Sequence, residues 1–269
     1  ATSGEVLIDG HSILDEPEKA KKSIGYLPEI PPLYLDMTVM EYLKFVAELK
    51  KIPKDKRSAE VRKASTLVKL NDVSNRLIRN LSKGYKQRTG LAAAVLGFPD
   101  IIILDEPTVG LDPKQIIEIR QLIRKLAKDH TVILSSHILA EVQEICDYVL
   151  IISKGKLVGS GTPEELEELS HGKDSIELTV KSDADTIQSV LDRIDGIQNV
   201  TWRNQGAGSC DLLVDTSKSA QEVCEDISIA FATERIPVTR INILKATLED
   251  IFLELTESSQ KDEEGETKR

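Results

Sequence analysis

The sequence is poor in cysteine, in net positive charge and in long apolar runs, and it lacks one motif altogether. Its 3 cysteines, Cys146, Cys210 and Cys224, stand far apart. They have no metal-ligand spacing and are expected to be buried thiols in a reducing compartment. Acidic residues outnumber basic ones, 45 to 35, for a net charge of −10. Binding to nucleic acid needs a basic face, so this balance argues against a nucleic-acid partner. No run approaches the length of a membrane-spanning helix and no signal-peptide pattern opens the sequence, so these residues are expected not to span a membrane. There is also no G-x-x-x-x-G-K-[ST] loop, whose backbone N–H groups and lysine cradle phosphates. Gly155-Lys156 and Gly172-Lys173 are the only Gly-Lys pairs, and neither has the partner glycine or the following hydroxyl.

What is present is an apolar run that ends in two acids, Ile101-Ile102-Ile103-Leu104-Asp105-Glu106. An unbroken apolar run reads as a parallel strand buried on both faces, which needs no polar alternation. Pro107 stops the strand, and the acids fall at its C-terminal edge, where open α/β sheets bind ligands. One acid can hold Mg²⁺ while its neighbour orients or deprotonates a water attacking a phosphate. Ahead of the run stands Leu81-Ser82-Lys83-Gly84-Tyr85-Lys86. After it, Gly110-Leu111-Asp112-Pro113 is a tight turn opening a helix from Lys114 to Lys128. A second strand, Thr131 to Leu134, ends in Ser135-Ser136-His137, so His137 is expected on the same sheet edge as the acids.

In this order the motifs resemble the nucleotide-binding subunit of an ATP-binding cassette (ABC) transporter. Leu81 to Tyr85 is similar to the signature motif, Ile101 to Glu106 to Walker B, Gly110 to Asp112 to the D-loop and His137 to the switch histidine. The signature departs from the family's pattern, with Lys83 for its first glycine and Tyr85 for its glutamine. Ser82 and Gly84 remain, a hydroxyl and a small backbone unit at a helix N-terminus that can meet a γ-phosphate. Glu29 occupies the place of the family's loop glutamine and could still ligand Mg²⁺ or a water.

The resemblance implies an α/β cassette of the P-loop NTPase type that hydrolyses ATP with Mg²⁺. Glu106 would be the general base and His137 would stabilise the γ-phosphate. Asp105 and Glu29 would hold metal and water, Ser82 and Gly84 would face the nucleotide, and Asp112 would contact a second copy. The implied partners are that second ATP-binding subunit and a transmembrane permease, at the cytoplasmic face of the membrane. Since the motifs downstream are intact, the missing phosphate loop is read as the mark of a fragment, and this chain is expected to be inactive by itself. The rival readings are a docking module that lost the loop in evolution and an ABC ATPase with no role in transport.

The cassette is expected over 1–172, with a helical subdomain at about 30–90. Thr38-Val39-Met40-Glu41 is a capping pattern that opens a helix to Leu49, and Arg57 to Leu70 is a second helical stretch. A separate small domain is expected over 174–256. Strands at Ser175–Lys181, Asn199–Arg203, Asp211–Val214 and Val238–Leu244, with helices at Thr186–Ile194 and Ala220–Thr233, give the order β-α-β-β-α-β of a ferredoxin-like α+β sandwich. Trp202 is expected to pack inside it. A closing helix from Thr247 to Thr256 would carry the stripe Leu248, Ile251, Phe252, Leu255. This domain has no cluster of titratable groups and is expected to be regulatory or to support the dimer. Residues 257–269 are polar and expected to be disordered. Lys50, Lys51, Lys54, Lys56 and Arg57 read as a solvated face.

Overall fold

A computed structural model of the chain describes residues 2–169, 175–206, 208–244 and 248–253. It divides into two compact units, Ala1–Ile145 and Cys146–Arg269. The boundary expected near 172 falls on residues outside the described ones, as does the tail 257–269.

The first unit opens with a hairpin, β1 (Leu7–Ile8) and β2 (His11–Ser12). Asp9 and Gly10 turn it with φ of 51° and 74°, the double positive φ that Asp-Gly supplies in a tight hairpin. A short helix that the sequence reading left out follows, α1 (Pro17–Lys22). Next come β3 (Ile24–Leu27), α2 (Val39–Leu49), α3 (Lys54–Leu67) and α4 (Lys83–Val95). Then β4 (Ile101–Asp105), α5 (Pro113–Leu126), β5 (Thr131–Ser135) and α6 (Leu139–Ile145) complete the unit. The capping box at α2 forms as expected: Glu41 N donates to Thr38 Oγ1 at 3.3 Å, and Thr38 N donates to Glu41 Oε2 at 2.8 Å.

Strands β3, β4 and β5 make a parallel sheet with β4 in the centre. One face is core: Leu27, Ile102 and Leu104 cluster with Leu91 and Val95 of α4 and with Ile119 and Ile123 of α5. Gly25 lets α4 come this close, since a Cβ there would collide with the Ala94 carbonyl oxygen. The other face corrects the expectation of a strand buried on both sides. β4 alternates between buried and half-buried, and Tyr26 and Ile133, which flank Ile103 in register, are 54% and 52% exposed. The apolar run is therefore one fully packed face and one shallow one.

The second unit begins with a hairpin, β6 (Val149–Ser153) and β7 (Lys156–Gly161), and α7 (Pro163–Leu169). Beyond it lie β8 (Ser175–Val180), α8 (Ala184–Leu191), β9 (Ile197–Gly206), β10 (Ser209–Thr216), α9 (Ala220–Thr233) and β11 (Val238–Leu244). The expected β-α-β-β-α-β order is present as an antiparallel sheet ordered β11-β8-β10-β9. Ile176, Leu178, Val180, Leu212 and Val214 alternate into a core with Ile187, Val223, Ile227 and Phe231, and Trp202 packs at its margin. Residues 248–253 are helical, with Leu248 and Ile251 buried; Leu255 of the expected stripe lies outside the described residues. Cys210 is buried as expected. Cys146 and Cys224 are only partly covered, and burial pushes both thiols up.

Candidate functional site

The parallel register sets Asp105 beside Ser135 at the C-terminal ends of β4 and β5. Ser135 Oγ donates to Asp105 Oδ1 at 2.6 Å, which orients that carboxylate. Glu106 leaves the strand with φ at 46°, and its N–H donates to the Ser135 carbonyl at 3.2 Å. A non-glycine residue rarely takes this conformation, and such strain collects at functional turns. Beyond β5, His137 Nδ1 stands 2.8 Å from Glu106 Oε2. The two form a close ion pair, with Oε2 buried against the ring.

The histidine itself is open, with its side chain 68% exposed against 19% for Glu106. The short contact with Glu106, then that carboxylate's charge, holds the imidazole above its ordinary value; Glu141 and Glu29 add to it. Glu29 lies exposed in the turn after β3. Asp105, Glu106 and His137 are thus brought together as expected, with Glu29 within electrostatic reach of His137.

Ser82 and Asp112 each begin a helix. Ser82 Oγ accepts from Tyr85 N at 3.4 Å as the cap of α4, and Asp112 Oδ1 accepts from Gln115 N at 3.0 Å as the cap of α5. Both do what such residues ordinarily do at helix starts. The two starts interlock. A Cβ on Gly84 would lie 2.5 Å from Gln115 Oε1, and Lys83 lies across Gly110, which has a φ of 70°. Among the described residues no hydrogen bond or ion pair ties Ser82 or Gly84 to the Asp105–Glu106–His137 group, and no group of three or more acids, histidines or cysteines could by itself hold a metal.

Several residues went unrecognised in the sequence. Arg88 in α4 is buried, donates to the Val68 carbonyl at 3.1 Å and pairs with Glu118 of α5. Glu141 is buried in α6, where it accepts from Thr108 and pairs with Arg120. A single charged residue on a helix carries no sign of its burial, so only the packing could reveal them. Lys50, Lys51, Lys54 and Lys56 are exposed, as the solvated-face reading expects, and Lys50 adds a contact. Its ammonium turns back onto the Ala94 and Leu96 carbonyls, 2.8 Å from each, at the C-terminal end of α4. Arg57 likewise donates to the Ile52 carbonyl at 2.7 Å.

A parallel sheet with acids and a histidine at its C-terminal edge, and two helix N-termini locked side by side, make an α/β unit of the kind that takes ligands at that edge. A family described as ABC transporter matches residues 1–109. The ABC transporter ATP-binding protein YhcH of Bacillus subtilis is 32% identical over 99% of this chain and 80% of its own length. The chain belongs to the ABC transporter ATP-binding family. ABC transporter A family member 1 of Dictyostelium discoideum is 27% identical over 95% of this chain, which spans 30% of that protein's length. The chain likewise spans 22% of A family member 8 of the same organism. Among solved structures, cbiO1 from Clostridium perfringens, part of the ABC transporter complex cbiONQ, superposes with a TM-score of 0.57 at 27% identity, covering 72% of this chain and 74% of that one. No helix among the described residues is long and apolar enough to cross a membrane.

Proposed function

We propose that this chain is the ATP-binding and ATP-hydrolysing part of an exporter-type ABC transporter, working against a second copy or a like subunit and beside a transmembrane permease at the cytoplasmic face of the membrane. The observation that carries this reading is the Glu106–His137 pair at the C-terminal edge of the parallel sheet, 2.8 Å apart, next to Asp105. A carboxylate at this edge can take a proton from an attacking water, and Glu106 is assigned as the general base. His137, held protonated more readily by that carboxylate, donates toward the γ-phosphate as charge builds there.

Asp105 and Glu29 are assigned to Mg²⁺. Their hard oxygens fit it, because Mg²⁺ is usually held by one or two carboxylates with substrate phosphates and waters, not by a full protein cage. When bound, the ion draws charge from the phosphate oxygens. Ser135, donating to Asp105, fixes which carboxylate oxygen turns outward. Ser82, Gly84 and the first N–H groups of α4 face the γ-phosphate held on the partner copy, and Asp112 meets that copy's edge.

The 269 residues hold no phosphate loop, so the polypeptide by itself is expected to show no turnover. Every 1.36 kcal/mol of lost transition-state binding is about tenfold in rate. A chimera tests the site: a strand–phosphate-loop–helix segment from a relative, joined ahead of Ala1. Glu106→Gln in that chimera should cut hydrolysis by about 10²–10⁴-fold and leave an ATP-held dimer visible by gel filtration. Hydrolysis at the parental rate would remove Glu106 from the base role. A polypeptide that turns ATP over without the added segment would overturn the dependence on a phosphate loop.

A further inference from the structure

Behind the Glu106–His137 pair lies a carboxylate that none of the steps above uses. Glu141 in α6 is 2% exposed, and Thr108, in the turn after Glu106, is also 2% exposed. Thr108 Oγ1 donates to Glu141 Oε2 at 2.6 Å. The other oxygen, Oε1, lies 3.0 Å from Arg120 of α5. Each oxygen is thus held by a different element. Arg120 also pairs with Glu144, one turn further along α6, and Arg124 donates to the Glu144 carbonyl at 2.7 Å.

The chain positions of these groups carry the argument. Thr108 is two residues after Glu106, and Glu141 is one helical turn after His137. The turn is closed by Val109 N donating to the Glu106 carbonyl at 3.2 Å. The start of α6 is closed by Glu141 N and Val142 N donating to the Ile138 carbonyl at 3.0 and 3.2 Å. The Thr108–Glu141 bond therefore joins the two short segments that carry the reacting pair. A buried charge is costly unless both its oxygens are satisfied, and an apolar pair could fill the same space. The arrangement specifies a relative position of the two segments, which mere filling would not.

We propose that Glu141 is a positioning residue: through Thr108 on one side and Arg120 on the other, it holds the His137 segment in register with the Glu106 carboxylate. Its importance to catalysis rests on the roles assigned to Glu106 and His137 above; its structural effect does not. Glu144 supplies the control, because it sits on the same helix and pairs with the same arginine, yet its side chain is 46% exposed and it has no bond to the Glu106 turn.

The test uses the 269-residue chain and no nucleotide. Thr108→Val and Glu141→Gln are compared by amide exchange and by the NMR signal of the His137 ring at fixed pH. Each should speed exchange at Val109 and at Val142 together by about tenfold, because either change frees both segments. Thr108→Val, which removes no charge, should also move the His137 ring signal. Thr108→Ser should restore both readouts, and Glu144→Gln should leave the ring signal in place. The proposal is overturned if exchange rises only on the substituted segment, or if the His137 signal stays put in folded Thr108→Val. Should Thr108→Val fail to fold, Glu141→Gln, which keeps the side chain's shape, decides by the paired exchange at Val109 and Val142. A chain that proved unable to hydrolyse ATP even with a phosphate loop supplied would sink the catalytic reading and leave this result untouched.

Discussion

The two sheets of this chain handle polar groups in opposite ways. In the second unit the open face of the antiparallel sheet pairs its own polar side chains across strands. Ser175 donates to Asp215 at 2.8 Å, Thr179 to Asp211 at 2.7 Å, and Arg203 pairs with Glu177 at 3.2 Å. The opposite face alternates cleanly into the core. In the first unit the parallel sheet ends in groups that are only partly satisfied. Among the described residues the buried side-chain atoms without a hydrogen-bond partner all lie in this unit, Glu106 Oε2 at the sheet edge and Glu60 Oε2 and Arg120 Nε on α3 and α5. Positive φ tells the same story. Lys51, Lys69 and Arg235 follow helix ends, where left-handed residues are common, whereas Glu106 follows a strand. At Glu106 a strained backbone and a partly buried carboxylate coincide at the edge where α/β sheets bind ligands.

That contrast can be broken by experiment. The largest effect belongs to the orderly unit. Phe231 is fully buried, and Phe231→Ala should cost about 3–5 kcal/mol in denaturant unfolding of the second unit. A loss below about 1 kcal/mol would mean that its core is looser than its alternating pattern implies. Next is the close approach in the first unit. Gly25→Ala drives a methyl into the Ala94 backbone carbonyl and should cost about 1–3 kcal/mol, since backbone cannot swing aside as a side chain can. Parental stability would show that α4 is not seated on β3.

The Glu106–His137 pair gives a smaller, pH-dependent signature. By NMR the His137 midpoint should lie above 6.5 and fall back toward it in Glu106→Gln. Because the folded value is raised, any stability from this pair is fully present below about pH 6.5 and is lost as pH rises through the folded midpoint. A midpoint unchanged by Glu106→Gln would separate the two groups. Lys50 sets the smallest effect and has the opposite sign. Burial of its ammonium lowers it from 10.5 to about 8. Between those values the unfolded chain binds more protons, so stability should rise with pH there. The effect is modest because much of the residue is in water. Lys50→Met should flatten that rise in urea midpoints compared across the interval.

Much of the fold could be read before any coordinates. The boundaries of α9 and β11 were read to the residue, and the capping box at Thr38 and the β-α-β-β-α-β succession of the second unit follow from local signals. The acids at the end of β4 and the histidine beyond β5 could be placed on one edge because a parallel register aligns strand ends. The depth of the strand was misjudged: an apolar run shows what could be buried, and only neighbouring elements decide how much is. The carbonyl contacts of the exposed Lys50 were not legible for a related reason. A lysine stem is long enough to reach carbonyls far along the chain, and nothing nearby in sequence marks that choice.

By itself the sequence determined the element types, the residues available for phosphate chemistry and the absence of a phosphate loop within these 269 residues. These depend on periodicity, turn chemistry and short spacings, all of which act over a few residues. The tertiary structure alone decided which groups meet. It set Glu106 Oε2 against His137, Gly84 against Gln115, Arg88 against Glu118 and Glu141 against Thr108. Those pairings span about 30 residues of chain each, and their energies come from burial and alignment, which exist only once the helices are packed on the sheet.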